Sequence, residues 1–318
     1  MIPSSEKPRY HAVSARKAFL ALRSVLRLLT THLVVALVAL VVIGGATRVM
    51  EAGLACPDWP LCYGSLLPGR QMNLQVFLEW FHRLDAFLVG IALLVVLGLS
   101  VGRRKELPPW LPWGSALAVG LVALQGGLGA LPVTGLLSSS TVTAHLATAL
   151  LLLLLISGLD QCLASTEVSD PPPAWWCAVP PIATALVFTQ CVLGGAMASQ
   201  WAVDQCFSAG VQCEWLLRHR QLAMPAGLSV LVMAGTAFLT ARTDALTRGL
   251  AISAAMLVGI QVALGLLTLR WELQVPALTI AHQLVAALLI SLLGAITGRA
   301  LSAWSARQKS PALEIPCG

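Results

Sequence analysis

Eight long apolar stretches constrain this chain more than any other feature of its sequence. A bilayer core about 30 Å thick needs roughly 20 apolar residues per spanning helix. Hydrophobic residues make up 57% of the 318 residues and charged residues only 11%, which excludes an ordinary soluble domain. The sequence therefore predicts an all-α membrane protein with eight transmembrane helices, at roughly 27–46, 79–101, 110–130, 139–159, 175–197, 217–240, 246–268 and 277–299.

The distribution of basic residues predicts the orientation of these helices. Fourteen of the 20 Lys and Arg residues lie in the two tails and in the loops after helices 2 and 6. Cytoplasmic segments carry such an excess, so both termini are predicted to be cytoplasmic. This bias also explains the net charge of +6, and without a basic soluble face no nucleic-acid partner is expected. The polar, basic start of the chain, followed by a run of full spanning length, argues against a cleavable signal peptide.

The two halves of the chain resemble each other. Helix 1 and helix 5 both end in a Gly-Gly-Ala sequence, at Gly44 and Gly194, which close helix packing alone would explain. Four helices per half make this a parallel repeat. We therefore predict two tandem four-helix bundles related by pseudo-two-fold symmetry. The predicted segments are a cytoplasmic tail 1–26, a bundle 27–159 with a long first loop 47–78, a linker 160–174, a bundle 175–299 and a cytoplasmic tail 300–318.

Four histidines occupy matching places in this repeat. His82 and His145 are 63 residues apart, and so are His219 and His282. An intramembrane histidine is costly and usually marks a site. Two imidazoles on facing helices can hold a haem inside a bundle, so the pattern indicates two haem pockets. One such histidine alone would be read as a hydrogen-bonded core residue, and another metal would need a tighter cluster with carboxylates or thiolates.

Three arginines are candidates for contacts with haem propionates. Arg83 and Arg220 each follow a histidine, and Arg48 lies at the end of helix 1. A guanidinium matches the geometry of a carboxylate. Ordinary snorkelling at the membrane interface explains such residues equally well.

Cysteines and an acid distinguish the loops on the non-cytoplasmic side. Cys56 and Cys62 in the first loop, and Cys206 and Cys213 in the matching loop of the second half, are spaced for disulfides on an oxidising side. Free thiols or zinc ligands are the alternative.

Glu79 lies three residues before His82 and shares its helix face. A carboxylate there can move protons or polarise a substrate, although an acid is also favoured by the dipole at a helix start. Glu214 lies five residues before His219, so the geometry is not repeated. We expect the first pocket to perform chemistry and the second to hold a redox cofactor.

Taken together, these motifs resemble the bacterial branch of the haem A synthase family. The resemblance covers essentially the whole chain and rests on GGATR at 44–48, EAGLACPDWPLC at 51–62, EWFHR at 79–83 and the three further histidines. It implies oxidation of the C8 methyl of haem O to a formyl group in the bacterial inner membrane.

The same resemblance implies roles for the site residues. His219 and His282 would hold haem b, His82 and His145 would flank the substrate haem O, and Glu79 would be needed for turnover. Haem O synthase would supply the substrate, and a terminal oxidase would receive the haem A.

Two other classes of protein share some of these features. A di-haem b electron carrier would also need four histidines, but it would not need Glu79 or the long first loop. A transporter or structural membrane protein would carry no haem.

Overall fold

The computed structural model describes residues 7–133, 139–164, 171–204, 213–240 and 243–309. These residues form eight long helices, and within them the only β pairing is an isolated bridge between Cys62 and Ser65. All eight helices are long and apolar enough to cross a membrane, which confirms the predicted class. The helices are α1 (Lys7–Val49), α2 (Leu74–Gly102), α3 (Trp110–Val133), α4 (Ser139–Ala164), α5 (Ala174–Asp204), α6 (Glu214–Leu239), α7 (Ala245–Arg270) and α8 (Pro276–Lys309).

These segments become helices because a bilayer offers no hydrogen-bond partners to an open backbone. Polar side chains then set some of the ends. The Asn73 side chain accepts a hydrogen bond from the Val76 amide at 2.9 Å and so caps the start of α2. Prolines inside α5 and α6, such as Pro225, are tolerated because neighbouring groups in a membrane bundle satisfy the freed carbonyls.

Several helices extend beyond their predicted spans. Helix α1 begins at Lys7 and α8 continues to Lys309, so the described parts of both predicted tails are helical. Their Lys, Arg and Ala residues are good helix formers, and the helix continues where the apolar run does not. Helix α2 begins at Leu74, so the first loop comprises residues 50–73, which is shorter than the predicted 47–78. It contains a short 3-10 turn.

The contacts between helices define how the halves are built. In the first half, α1, α2, α3 and α4 contact one another in a closed ring, and α5, α6, α7 and α8 do the same in the second half. Helices α4 and α8 also contact each other and reach α5 and α1 across the halves. They are therefore the central helices. The pseudo-two-fold relation and the cytoplasmic position of the termini stay predictions.

Glycines allow α4 and α8 to pack backbone against backbone. A methyl group on Gly294 would lie only 2.7 Å from the Leu154 carbonyl oxygen, and one on Gly298 would overlap the backbone of Gly158. Small residues at such crossings permit close van der Waals packing, which drives helix association in lipid. Because α4 carries His145 and α8 carries His282, this crossing fixes two of the four histidines relative to each other.

Two polar clusters fasten the helices at the end opposite the first loop. Asp160 on α4 is buried and accepts hydrogen bonds from Thr30 and Thr31 of α1 at 2.8 and 2.9 Å. In the second half, Arg299 of α8 pairs with Asp244, which caps α7. Partial burial alone would raise the pKa of Asp244, but hydrogen bonds from Arg299 and Thr247 outweigh it and lower the pKa to about 2.

Candidate functional site

The four predicted histidines lie in two pairs, each joining a peripheral helix to a central one. His82 on α2 faces His145 on α4, with ring centroids 6.4 Å apart and planes at 62°. An imidazole nitrogen binds a first-row transition metal at about 2 Å, so two imidazoles on opposite sides of one ion have centroids about 6 Å apart. The first pair therefore has the spacing that a six-coordinate haem iron needs. His219 on α6 and His282 on α8 also lie close enough to interact electrostatically.

Each histidine ring packs against a glycine of the preceding helix. A methyl group on Gly44 or on Gly194 would lie 2.9 Å from Cε1 of His82 or His219. For Gly265 and His282 the distance is 3.1 Å, and for Gly129 and His145 it is 3.5 Å. The sequence explained Gly44 and Gly194 by helix packing in general. The structure shows that they make room for the rings.

A glutamine lies four residues before three of these glycines, on the same helix face. Nε2 of Gln125 donates to the His145 backbone carbonyl at 2.7 Å, and Nε2 of Gln190 donates to that of His219 at 2.9 Å. Nε2 of Gln261 lies 3.2 Å from Nε2 of His282. In α1 this position is Leu40. Sequence reasoning missed these glutamines as site residues, because their partners lie on another helix.

The donor set around the rings fits a haem. His219 donates from Nδ1 to the Gln190 carbonyl at 3.1 Å, which orients the ring, and its Nε2 lies 3.4 Å from Nε2 of Gln190. Nδ1 of the other three histidines is buried without a hydrogen bond of normal geometry to a described residue. The described ranges hold no cluster of three or more His, Cys, Asp or Glu side chains for another metal. Paired imidazoles at this depth are therefore suited to haem iron.

Glu79 lies three residues before His82, and it is buried, with 5% of its surface exposed. Its Oε2 accepts the Cys56 amide of the first loop at 2.8 Å. Its Oε1 forms an ion pair with Arg83 one turn later on α2. The carboxylate therefore connects the start of α2 to the loop that lies over it.

The first loop is a small packed unit. Cys56 and Cys62 form the predicted disulfide, and both are buried with Val76 of α2. Inside the disulfide ring, Asp58 accepts the amides of Tyr63 and Gly64 at 2.6 and 2.8 Å. Such contacts hold the chain in a fixed turn.

The second predicted disulfide lies partly beyond the described residues. Cys213 is disulfide-bonded, but Cys206 lies outside the described ranges, so this pairing stays a prediction. Cys162, Cys177 and Cys191 are free thiols.

The three candidate arginines lie in different surroundings. Arg83 donates to Glu79 and to the carbonyls of Asp58 and Leu61, so its guanidinium is already hydrogen-bonded to the first loop. Arg48 lies one turn beyond Gly44 on the same face of α1. Among the described residues, neither the Arg48 side chain nor the exposed Arg220 side chain has a hydrogen-bond partner. Propionate contacts stay predictions for all three.

Asp85 is a residue that sequence reasoning missed. It lies three residues after His82 within the apolar part of α2, it is partly exposed, and it has no hydrogen-bond partner among the described residues. Leu222 lies three residues after His219 in the second half. The available signal was an acid inside an apolar run, which by itself marks a candidate functional residue.

Comparison with known proteins places this geometry in a family. Residues 27–293 match the profile of the cytochrome oxidase assembly protein family. A Caulobacter vibrioides protein named "Heme A synthase" is 29% identical over 82% of this chain and 92% of its own length. A Shewanella oneidensis protein of the same name is 30% identical over 55% of this chain and 57% of its own length.

The chain belongs to the haem A synthase family of cytochrome oxidase assembly proteins. A "Protoheme IX farnesyltransferase 1" of Natronomonas pharaonis is also similar, at 33% identity over 44% of this chain and 29% of that protein. The eight apolar helices and the family place the chain in the bacterial inner membrane as a multi-pass protein.

Proposed function

We propose that this member of the haem A synthase family is itself a haem A synthase, which oxidises the C8 methyl of haem O to a formyl group. The observation that carries the proposal is the facing pair His82 and His145, whose ring centroids lie 6.4 Å apart. His82 lies one helical turn from the buried acid Glu79. Two successive hydroxylations of the methyl carbon, each a two-electron oxidation by an external oxidant, give a geminal diol, and loss of one water from the diol gives the formyl group.

In this proposal the first pocket holds the substrate. His82 and His145 bind haem O from opposite faces, and Arg48 contacts a propionate because its side chain has no partner among the described residues. Glu79 accepts or returns a proton at the edge of the pocket. Arg83, which is paired with Glu79, holds that carboxylate in a fixed orientation. Loop residues 50–73 cover the pocket and restrict access of water.

The second pocket holds the resident cofactor. His219 and His282 bind a haem b, and Arg220 has no partner among the described residues that would prevent it from reaching a propionate. When bound, haem b supplies one-electron redox chemistry. Glu214 lies near the start of α6 but is exposed and paired with Arg218 on the surface, so this pocket has no buried acid equivalent to Glu79.

The partners follow from the chemistry of substrate and product. A haem O synthase, which is a prenyltransferase, must supply the substrate, and a terminal oxidase must receive the haem A. The similarity to a protein named "Protoheme IX farnesyltransferase 1" supports a prenylated haem as the substrate.

A di-haem b electron-transfer protein is the second candidate. It is favoured by the fact that both pockets are built from the same parts, a histidine facing a glycine of the preceding helix. It leaves the buried contact between Glu79 and the Cys56 amide without a function.

Haem extraction from histidine variants tests the proposal. Full-length protein is purified from cells that make haem O, and the extracted haems are identified by chromatography. His82→Ala and His145→Ala should lose haem O and haem A but keep haem b, whereas His219→Ala and His282→Ala should lose haem b. Loss of haem b from all four variants, with no haem O or haem A in the wild type, would establish the electron carrier instead.

A further inference from the structure

We propose that Gln125 and Gln190 are positioning residues for the histidine ligands, and that Leu40 leaves His82 as the ligand that releases haem. Three of the four histidines have a glutamine at the same place on the preceding helix, and Gln261 is the third. His82 has Leu40 there instead. This proposal rests on the proposed function, because it assigns the weaker attachment to the pocket that exchanges substrate for product.

The glutamine contacts fix one helix of each pair against the next. Gln125 joins α3 to the backbone of His145 at 2.7 Å, and Gln190 joins α5 to the backbone of His219 at 2.9 Å. Both acceptors are backbone carbonyls, so these bonds persist when the Nε2 atoms bind iron. In an apolar interior, a hydrogen bond between helices restricts sliding and rotation of the helix that carries the ligand.

Leu40 cannot make this contact. Its side chain packs against the apolar core and has no donor. The backbone of Leu40 lies beside the His82 ring, and Leu40 precedes Gly44 by four residues, as each glutamine precedes its glycine. The α1–α2 pair is instead fastened at the first loop, through the Cys56 amide and Glu79.

The two pockets therefore hold their ligands differently. In the second pocket both histidines have a glutamine beside them, Gln190 and Gln261. In the first pocket only His145 has one. A pocket that takes up haem O and releases haem A needs an iron ligand that dissociates readily, whereas a pocket with a resident haem does not.

Haem transfer to excess apomyoglobin tests this asymmetry. Full-length protein that carries haem O and haem b is mixed with the acceptor, and the two haems remaining are quantified over time by extraction and chromatography. Leu40→Gln should slow the loss of haem O about fivefold, the net effect of one hydrogen bond, and leave the loss of haem b unchanged. It should also raise the low-spin fraction of the haem O spectrum. Leu40→Met, which adds no donor, is the matched control.

The reverse substitutions test the glutamines. Gln190→Leu should speed the loss of haem b about fivefold, and Gln125→Leu should speed the loss of haem O by a similar factor. Equal rates in Leu40→Gln and Leu40→Met, or rates in both glutamine variants equal to wild type, would overturn the positioning role. The glutamine variants decide the matter alone if Leu40→Gln does not fold. Wild-type protein that never holds haem O would overturn the proposed function and this role with it, whereas haem O bound but unresponsive to these changes would overturn only the role.

Discussion

The two pockets are made of the same parts and differ in what surrounds them. Each has two histidines that pack against glycines of the preceding helices. The first adds the buried Glu79, which accepts an amide of the first loop, whereas the second has the exposed Glu214. The two histidine pairs are therefore alike in their glycine contacts. The chemistry proposed for the first pair depends on residues outside those contacts.

Removal of the Glu79 carboxylate should cause the largest difference in behaviour between the two pockets. Glu79→Ala should abolish haem A formation and leave haem b in place, because it removes the proton-carrying group and the acceptor of the Cys56 amide. Glu79→Gln keeps an acceptor for that amide but cannot ionise, so it should also be inactive. The measurement is haem A formed per haem b, with Glu214→Ala as the control. Wild-type turnover in Glu79→Gln would show that the residue only anchors the loop.

Glycine substitutions should damage one pocket at a time. A methyl group on Gly194 would lie 2.9 Å from the His219 ring, and overpacking of this kind costs about 1–3 kcal/mol. Gly194→Ala should therefore lower the haem b content, and Gly44→Ala the haem O content. Gly126→Ala is the control, since nothing lies within 4 Å of its Cβ position. A parallel loss of both haems in either variant would mean that the pockets are not independent.

Opening the disulfide should weaken only the first pocket. Cys56→Ser removes a loop constraint worth about 2 kcal/mol on the chain-entropy estimate and loosens the amide that Glu79 accepts. We expect slower haem A formation and faster proteolysis of the first loop, with haem b content unchanged. Cys191→Ser, at a free thiol, is the control. Unchanged turnover in Cys56→Ser would show that the reaction does not depend on closure of the first loop by the disulfide.

Low pH should slightly lower the stability that the Asp244–Arg299 pair contributes to the second half, and it should have no such effect on the first half. Because the pKa of Asp244 is about 2 in the folded protein and about 4 when unfolded, its pairing with Arg299 contributes stability above about pH 4. That contribution is lost as the pH falls from about 4 to 2. The half-exposed pair is worth less than about 1 kcal/mol. Thermal unfolding at pH 6 should show a slightly lower midpoint for Asp244→Asn, and the difference should vanish near pH 2. Glu106→Gln, which breaks an exposed pair with Arg103 in the first half, should change little at either pH.

Much of the membrane fold could be predicted from the sequence, because the length of an apolar run is a local property. The eight helices and the Cys56–Cys62 disulfide are confirmed. The extension of α1 back to Lys7 was missed, because an apolar run shows where the bilayer ends and not where the helix does.

The site was predictable only where chemistry shows in single residues. The register of the four histidines identified both pairs, and Glu79 stood out as an acid on the face of His82. The contact of Gln125 with His145 depends on how α3 docks against α4, so no sequence pattern could reveal it. The engagement of Arg83 by the first loop depends on the folded path of residues 50–73 in the same way.

Incubation of the purified wild-type protein with haem O and an external oxidant, followed by extraction and chromatography of its haems, tests the central claim most directly. The proposed division of labour predicts that haem A accumulates from the added haem O while the amount of haem b stays constant. A protein that holds haem b alone, and leaves the added haem O unbound and unchanged, would contradict it.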